Sequence, residues 1–243
     1  MPLHRSLHEL TFTADPGGIN PFIDLRFQVS FIRPDNGEVS IADGYYDGEH
    51  TFRARCYCDT VGDWEWLSNS NVPELDGRTG TFTVESSDLP GKLRIHSDDP
   101  YQFAYDNGEW FLHIGDTGYR YVTQSEPKWQ EYIDQANEMG ANKIRTWFCE
   151  GRSDVQTLIN EDRTGLNLPY WQEIDRRLAY ANEHYPHIQF KLIPYGEDTD
   201  EIRRYEQRDP VSLLIGRYAQ ARFTAYPNVH WCPNKRQRDR SRR

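Results

Sequence analysis

The hydrophobic period of this chain changes once, shortly after residue 100, and that change limits its architecture more than any single motif. Over the first ninety residues apolar side chains recur at every second position. Leu25, Phe27, Val29 and Phe31 alternate with Arg26, Gln28 and Ser30, and Phe52, Ala54, Cys56 and Cys58 repeat the pattern, as do Phe82 and Val84. A period of two sends one set of side chains to a core and the other to water. Between the runs lie Asp15-Pro16-Gly17-Gly18, Pro34-Asp35-Asn36-Gly37, Asp47-Gly48 and Asp76-Gly77, which supply turn residues tolerant of positive φ. Short strands at this turn spacing predict an all-β, immunoglobulin-like sandwich over residues 1–90.

From about Asn107 the order becomes strand, helix, strand, helix. Trp110 to Ile114 reads as the first strand, followed by a helix with Trp129, Tyr132, Ile133, Ala136 and Met139 on one face. Lys143 to Cys149 reads as the second strand, ahead of a helix whose stripe is Trp171, Ile174, Leu178 and Ala181. Gln189 to Pro194, a helix from about Val211 to Thr224, and Asn228 to Cys232 complete the series. Such alternation predicts a parallel sheet with right-handed crossovers, in an open sheet or part of a closed barrel. Ser86 to Pro100, with its Ser-Ser-Asp, Pro-Gly and Asp-Asp-Pro runs, is the expected link, and the boundary falls near residue 90.

Charge narrows the function classes. The net charge is −10, yet residues 233–243 carry six Lys or Arg and one acid, so the remainder sets 22 basic residues against 37 acidic ones. A body this acidic repels phosphate backbones, which argues against nucleic acid as a partner, and the basic tail reads as a disordered, solvated end. No run approaches the apolar length of a membrane span, and Met1 to Ser6 is not followed by a signal-peptide core, so neither membrane nor export route is expected from this chain. Cys56 and Cys58 share one side of a strand at a spacing that suits neither a disulfide nor zinc. They read, with Cys149 and Cys232, as free thiols. His184 and His187 flank Pro186 as surface residues, and no metal or cofactor is expected. Seven Trp and fifteen Tyr are many for core filling, and such rings can stack on sugars.

Several segments in order carry a family resemblance: Asn20-Pro21-Phe22, Gly44-Tyr45-Tyr46-Asp47-Gly48, Phe52-Arg53-Ala54-Arg55, Gly62-Asp63-Trp64-Glu65-Trp66 and Gly80-Thr81-Phe82. They make the first region resemble the N-terminal domain of unknown function (type 5060) that precedes apiosidase-like glycoside hydrolases. Pro100-Tyr101 with Phe103, Phe111 to Thr117 ending in Gly115-Asp116-Thr117, and Asn142-Lys143-Ile144-Arg145 look like the start of the associated TIM-type (β/α) barrel. The resemblance spans about residues 7–232 and implies a barrel segment of about four βα units over residues 91–232, with carbohydrate as partner.

Glycoside hydrolysis needs one carboxylic acid to protonate the leaving oxygen and a second carboxylate to attack or to activate water. In a barrel these groups stand at the C-terminal ends of strands. Asp116 and Glu197 are the catalytic candidates by position, with Arg145 supporting as a strand-borne cation that needs a carboxylate partner. Trp147, Glu150, Tyr195, Asp198 and Trp231 are candidates for binding substrate.

The resemblance fails at the fourth strand. Asn228-Val229-His230-Trp231-Cys232 runs into Pro233-Asn234-Lys235-Arg236-Gln237 with no carboxylate before Asp239, where barrel glycosidases commonly place an acid. A full barrel needs about 250 residues, and about 150 remain here. The expectation is a truncated or frameshifted glycoside-hydrolase-like chain with little or no activity, whose exposed barrel edge invites self-association. The alternatives are a carbohydrate-binding or interaction module acting through Trp64, Trp66, Tyr45 and Tyr46, and an unrelated half-barrel enzyme completed by dimerisation.

Overall fold

The computed structural model describes residues 1–148, 158–194 and 204–232. Seven strands form two antiparallel sheets. One has the order β1 (Leu7–Thr13), β5 (Thr51–Tyr57), β4 (Tyr45–Gly48). The other runs β3 (Val39–Asp43), β2 (Phe27–Ile32), β6 (Gly62–Ser70), β7 (Thr79–Val84). The alternating residues meet as the period of two requires: Phe12, Phe27, Val29, Phe31, Phe52, Ala54, Trp64 and Val84 share one buried core with Cys56 and Cys58. Cys56, Cys58 and Cys232 are free and buried. Trp64 donates its indole N–H to the Thr60 carbonyl at 2.9 Å, so its burial leaves no orphaned donor. Across the ladder Trp66 faces Gly80, where an added Cβ would come within 2.7 Å of the indole; only glycine lets that ring lie flat on the neighbouring strand.

The β4–β5 hairpin turns at Glu49 and His50, with φ of 48° and 62°, two residues beyond the Asp47-Gly48 turn signal. Two positive φ angles in a two-residue loop match the twist of the flanking strands. The shift leaves Asp47 inside β4, where its carboxylate meets another part of the chain.

A small antiparallel sheet follows, in the order β10 (Trp110–Phe111), β9 (Phe103–Tyr105), β8 (Leu93–Ile95). Trp110 to Ile114 is therefore not the first parallel strand. The reason is local: Asn107-Gly108 makes a hairpin turn, Gly108 adopting φ 90° and Asn107 Oδ1 accepting from Glu109 N at 3.0 Å, so Trp110 folds back onto Ala104.

The parallel sheet begins only at β11 (Gly115–Asp116) and continues through β12 (Lys143–Trp147), β13 (Gln189–Ile193) and β14 (Val229–Trp231), in that order. Three helices with both ends among the described residues connect or flank these strands: α1 (Lys128–Glu138), α2 (Leu168–His184) and α3 (Pro210–Phe223). The start of α3 is set by Asp209, which accepts from Ser212 N at 2.9 Å, and by Pro210 in the first turn. Ile144, Phe190, Leu192 and Val229 from the strands share a core with Trp129 and Ile133 of α1, Trp171, Ile174 and Leu178 of α2, and Ile215, Ala219 and Phe223 of α3. All three helices therefore cover one face of the sheet. Met139, counted into the α1 stripe, lies past the end of the helix and is exposed. Among the described residues no helix is long and apolar enough to cross a membrane.

The antiparallel unit and the helices are joined through a buried ionic cluster. Arg55 of β5 grips Asp175 of α2 with two bonds of 2.9 and 2.7 Å, and also donates to the Arg222 carbonyl at 2.6 Å. Arg222 of α3 donates to Asp175 at 3.0 Å and to Asp47 of β4 at 2.6 Å. Tyr226 O–H donates to Asp175 at 2.7 Å, Arg53 joins Asp47 to Glu9, and the Tyr45 ring lies beneath both Arg55 and Arg222. Three guanidinium groups thus meet three carboxylates. Burial opposes ionisation of Asp175, but the Arg55 bonds and the Arg55 and Arg222 charges outweigh it and hold its carboxyl below the usual range. Removing one member strands buried charge on the others, so Asp175→Ala is expected to cost about 3–5 kcal/mol of unfolding free energy in urea titrations. A loss below about 1 kcal/mol would show that the cluster does not hold the units together.

Candidate functional site

Register places the sequence-selected residues on two opposite faces of the parallel sheet. Neighbours in a parallel ladder project to the same side, and residues along one strand alternate. Asp116 pairs with Ile144 and Leu192 with Trp231, so Asp116 and Trp231 belong to the helix-covered face. Asp116 Oδ2 accepts from Tyr132 O–H of α1 at 2.6 Å, while Trp231 donates to Thr224 Oγ1 at 3.1 Å. Arg145 and Trp147 alternate to the other face. The Arg145 guanidinium lies 5.5 Å above the Tyr119 ring, and Trp147 packs on the same ring at 4.4 Å. The structure therefore does not bring Asp116 and Arg145 together. Glu150, Tyr195, Glu197 and Asp198 lie outside the described residues.

Beside Arg145 and Trp147, the face opposite the helices holds residues not singled out from the sequence: Lys143, Gln189, Lys191, His230 and His113. Lys143 and Arg145 alternate with Ile144 and Thr146 on β12, and Gln189 and Lys191 with Phe190 and Leu192 on β13. His230 pairs with Lys191 across the ladder. His113 reaches the same surface: a Cβ on Gly115 would come within 2.8 Å of its Nε2 and 3.4 Å of the Lys143 Cβ. Among the described residues, five buried polar atoms here have no hydrogen-bond partner: Arg145 Nε, Trp147 Nε1, Gln189 Nε2 and both ring nitrogens of His230. Burial, then Lys143, Lys191 and His113, pushes the His230 pKa down to about 4. Burial and Lys191 also lower Lys143. The signal was present in the strands: parallel strands are usually buried on both faces and read as continuous apolar runs, whereas these carry a cation at alternate positions.

The four rings considered as a sugar platform are placed otherwise. Trp64 is fully buried in the antiparallel core, and Tyr45 is buried against the ionic cluster. Tyr46 and Trp66 pack against the antiparallel core. They do not form an exposed stacking surface. A cleft of about 500 Å³ does open between β2, β3, β5 and α3, with Tyr57, Lys92, Arg94 and Trp231 among its lining. Lys92 donates to the Thr224 carbonyl at 3.0 Å, and burial followed by Arg94 lowers its pKa.

Residues 6–71 match the family described as Domain of unknown function (DUF5060). No curated protein matches the chain. A solved structure described as "a putative glycoside hydrolase from Bacteroides vulgatus ATCC 8482" is similar with a TM-score of 0.77 and 23% identity, over 96% of this chain and 48% of that one. A glycoside hydrolase family 5 structure from the same organism gives a TM-score of 0.45 and 16% identity, over 60% of this chain and 32% of that one. This chain spans about half the length of the first structure. Its fold, with an N-terminal sheet-rich unit and a parallel sheet, is glycoside-hydrolase-like.

The depressed pKa of His230 has a measurable consequence. Between the ordinary histidine value near 6.5 and about 4, the unfolded chain takes up a proton that the folded His230 refuses. Stability is thus fully present above 6.5 and is lost as pH falls through that window, by up to about 3 kcal/mol. Urea titrations at pH 7.5 and pH 4.5 should show a smaller difference for His230→Gln than for the parent; equal differences would contradict the burial of a neutral ring.

Proposed function

We propose that this chain is a fragment of a glycoside-hydrolase-like protein acting on plant or bacterial polysaccharide. Residues 1–90 form an accessory immunoglobulin-like β-sandwich. Residues 91–232 form an arc of a TIM-type (β/α) barrel of the apiosidase-like kind, followed by a basic tail over residues 233–243. The observation that carries this reading is the likeness over 96% of the chain to a protein described as a glycoside hydrolase, at a TM-score of 0.77. Two features of the sheet support the barrel part of it. The strand order β11-β12-β13-β14 never reverses, and all three helices lie on one face. An open doubly wound sheet reverses its order and carries helices on both faces.

Under this reading the open face is the barrel interior, and chemistry belongs at the C-terminal strand ends. Arg145 and Trp147 point there, with Glu150, Tyr195, Glu197 and Asp198 following in the sequence. Glu197 is the catalytic carboxylate of this proposal. Asp116 stands on the helix-facing side of β11 and acts through Tyr132, as a positioning group for α1. A hydrolase needs two carboxylates flanking the scissile bond, and the described residues do not bring such a pair together. The residues after β14 add no acid before Asp239. Little or no turnover by this chain is part of the proposal.

Incubation of the purified protein with a panel of plant cell-wall oligosaccharides tests the proposal, with size-exclusion chromatography of the same sample to detect self-association through the strand edge. No turnover by a folded protein is the expected result. Hydrolysis that Glu197→Gln abolishes would show a working site in this chain and overturn the inactive part of the reading.

A further inference from the structure

The cleft between the antiparallel unit and α3 shares no described residue with the sheet face that carries Arg145, and its lining is unevenly charged. Among the described residues four cations border it, Arg33, Arg55, Lys92 and Arg94, against two carboxylates, Asp43 and Asp59. Two of the cations are neutralised within the chain: Arg33 by Asp59 and Glu38, Arg55 by Asp175 and Glu9. Arg94 gives its Nε to Asp106 at 2.6 Å, and its two outer nitrogens have no partner among the described residues. The Lys92 ammonium donates to the Thr224 carbonyl at 3.0 Å and lies 4.7 Å from the centre of the Tyr57 ring. It meets no carboxylate among the described residues. Burial, then Arg94, lower its pKa in spite of Asp106 and Asp59, the mark of positive charge that lacks an offsetting anion.

β3 contributes groups of another kind. It is an edge strand, and Ser40 to Asp43 line the cleft. Arg33 N donates to the Glu38 carbonyl at 3.0 Å and Gly44 N to the Phe27 carbonyl at 2.8 Å. Bonded and non-bonded pairs alternate along an antiparallel ladder, so Val39, Ile41 and Asp43 turn their N–H and C=O away from β2. The Asp43 carboxylate is exposed and accepts from the Gln28 amide at 2.8 Å. Trp231 is half-buried in the same lining. A matching ligand carries an anionic group for Lys92 and Arg94, hydroxyls that donate and accept for Asp43 and the β3 edge, and a C–H face for an aromatic ring. An inorganic anion would leave the β3 edge unmet and be repelled by Asp43. A peptide added as a strand needs a continuous row of backbone groups, and β3 turns out those of three residues. The volume, about 500 Å³, is that of a small-ligand site.

We propose that this cleft binds an acidic saccharide, a uronate carboxylate meeting Lys92 and Arg94 while the hydroxyls meet Asp43 and the edge of β3 and a sugar face rests on Trp231. The choice of a saccharide rests on the polysaccharide reading; the pairing of an anion with Lys92 does not. The cleft is a holding site, on the helix side of β14 and apart from the strand ends where hydrolysis belongs.

The test titrates the whole chain calorimetrically with trigalacturonate, beside its methyl ester, tri-L-glutamate and inorganic phosphate. Acetylation of lysine amines with and without each probe, read by mass spectrometry, locates the site. Trigalacturonate is expected to bind and to protect Lys92, with affinity about tenfold or more weaker for the methyl ester and for Lys92→Met. Arg94→Gln changes an exposed side chain and should weaken binding about threefold or more; it carries the test where Lys92→Met fails to fold. Parent-like affinity in Arg94→Gln, protection of Lys235 in place of Lys92, or no binding by any probe would overturn the proposal. Equal binding of the ester with Lys92 unprotected would overturn this site and leave the polysaccharide reading standing. Equal binding of tri-L-glutamate or phosphate with Lys92 protected would overturn the saccharide and count against the polysaccharide reading as well.

Discussion

The contact of Asp175 with Arg55 and Arg222 is the constraint around which the described fold is arranged. One carboxylate from α2 takes a bidentate pair from β5 and further bonds from α3 and from Tyr226. Each element brought to it also belongs to a separate apolar core: β5 to the antiparallel unit, α2 and α3 to the helix-covered face. Apolar packing alone would let these cores slide against each other. A planar guanidinium fork fixes both distance and direction, and a buried charge permits no second arrangement without a large desolvation cost.

Three of the five N-terminal segments that carry the family resemblance, Asn20 to Phe22, Gly44 to Gly48 and Phe52 to Arg55, gather at this junction. Asn20 donates to the Thr164 carbonyl at 2.7 Å, and the Phe22 ring packs edge-on against Tyr46 and near Tyr218. Tyr46 gives its carbonyl to Tyr218 O–H at 2.8 Å, while Asp47 receives Arg222 and Gln172. Gly48 adopts φ 94°, and a side chain there would press on Leu168 at the start of α2. Residues in three of these signature segments are therefore also the residues by which the N-terminal unit grips the next one. This gives the N-terminal unit a physical role as a buttress for α2 and α3, independent of any sugar surface of its own.

Much of the fold was legible because period and burial coincide. The alternation in β2 and β5 and the stripe Trp171, Ile174, Leu178 and Ala181 in α2 predict faces that the structure buries. Where the reading failed, a local turn or a long-range charge decided the outcome. Asn107-Gly108 folded Trp110 back into a hairpin and delayed the parallel sheet to Gly115. Asp116, chosen for its position after a supposed strand, fell on the helix side because β11 pairs through Asp116 and Ile144. The ionic cluster left a trace that could have been read. Asp175 sits three residues before Leu178 within an apolar stripe, and Arg222 lies beside Phe223 in the same way. A charge at a core position on a helix announces a partner without naming it. Nothing in a single strand could identify Arg55 as that partner, since its Cβ points away from the core that Ala54 and Cys56 share.

If the cluster makes one body of two sheets and three helices, the amides on either side of it must open together. Native-state hydrogen exchange across a range of urea concentrations measures this directly. Amides of β5 and α2 are predicted to exchange with the same opening free energy and the same dependence on urea, as parts of one cooperative unit. Exchange of β5 at a lower free energy while α2 remains protected would mean that the two units fold independently, and that the cluster only decorates their contact.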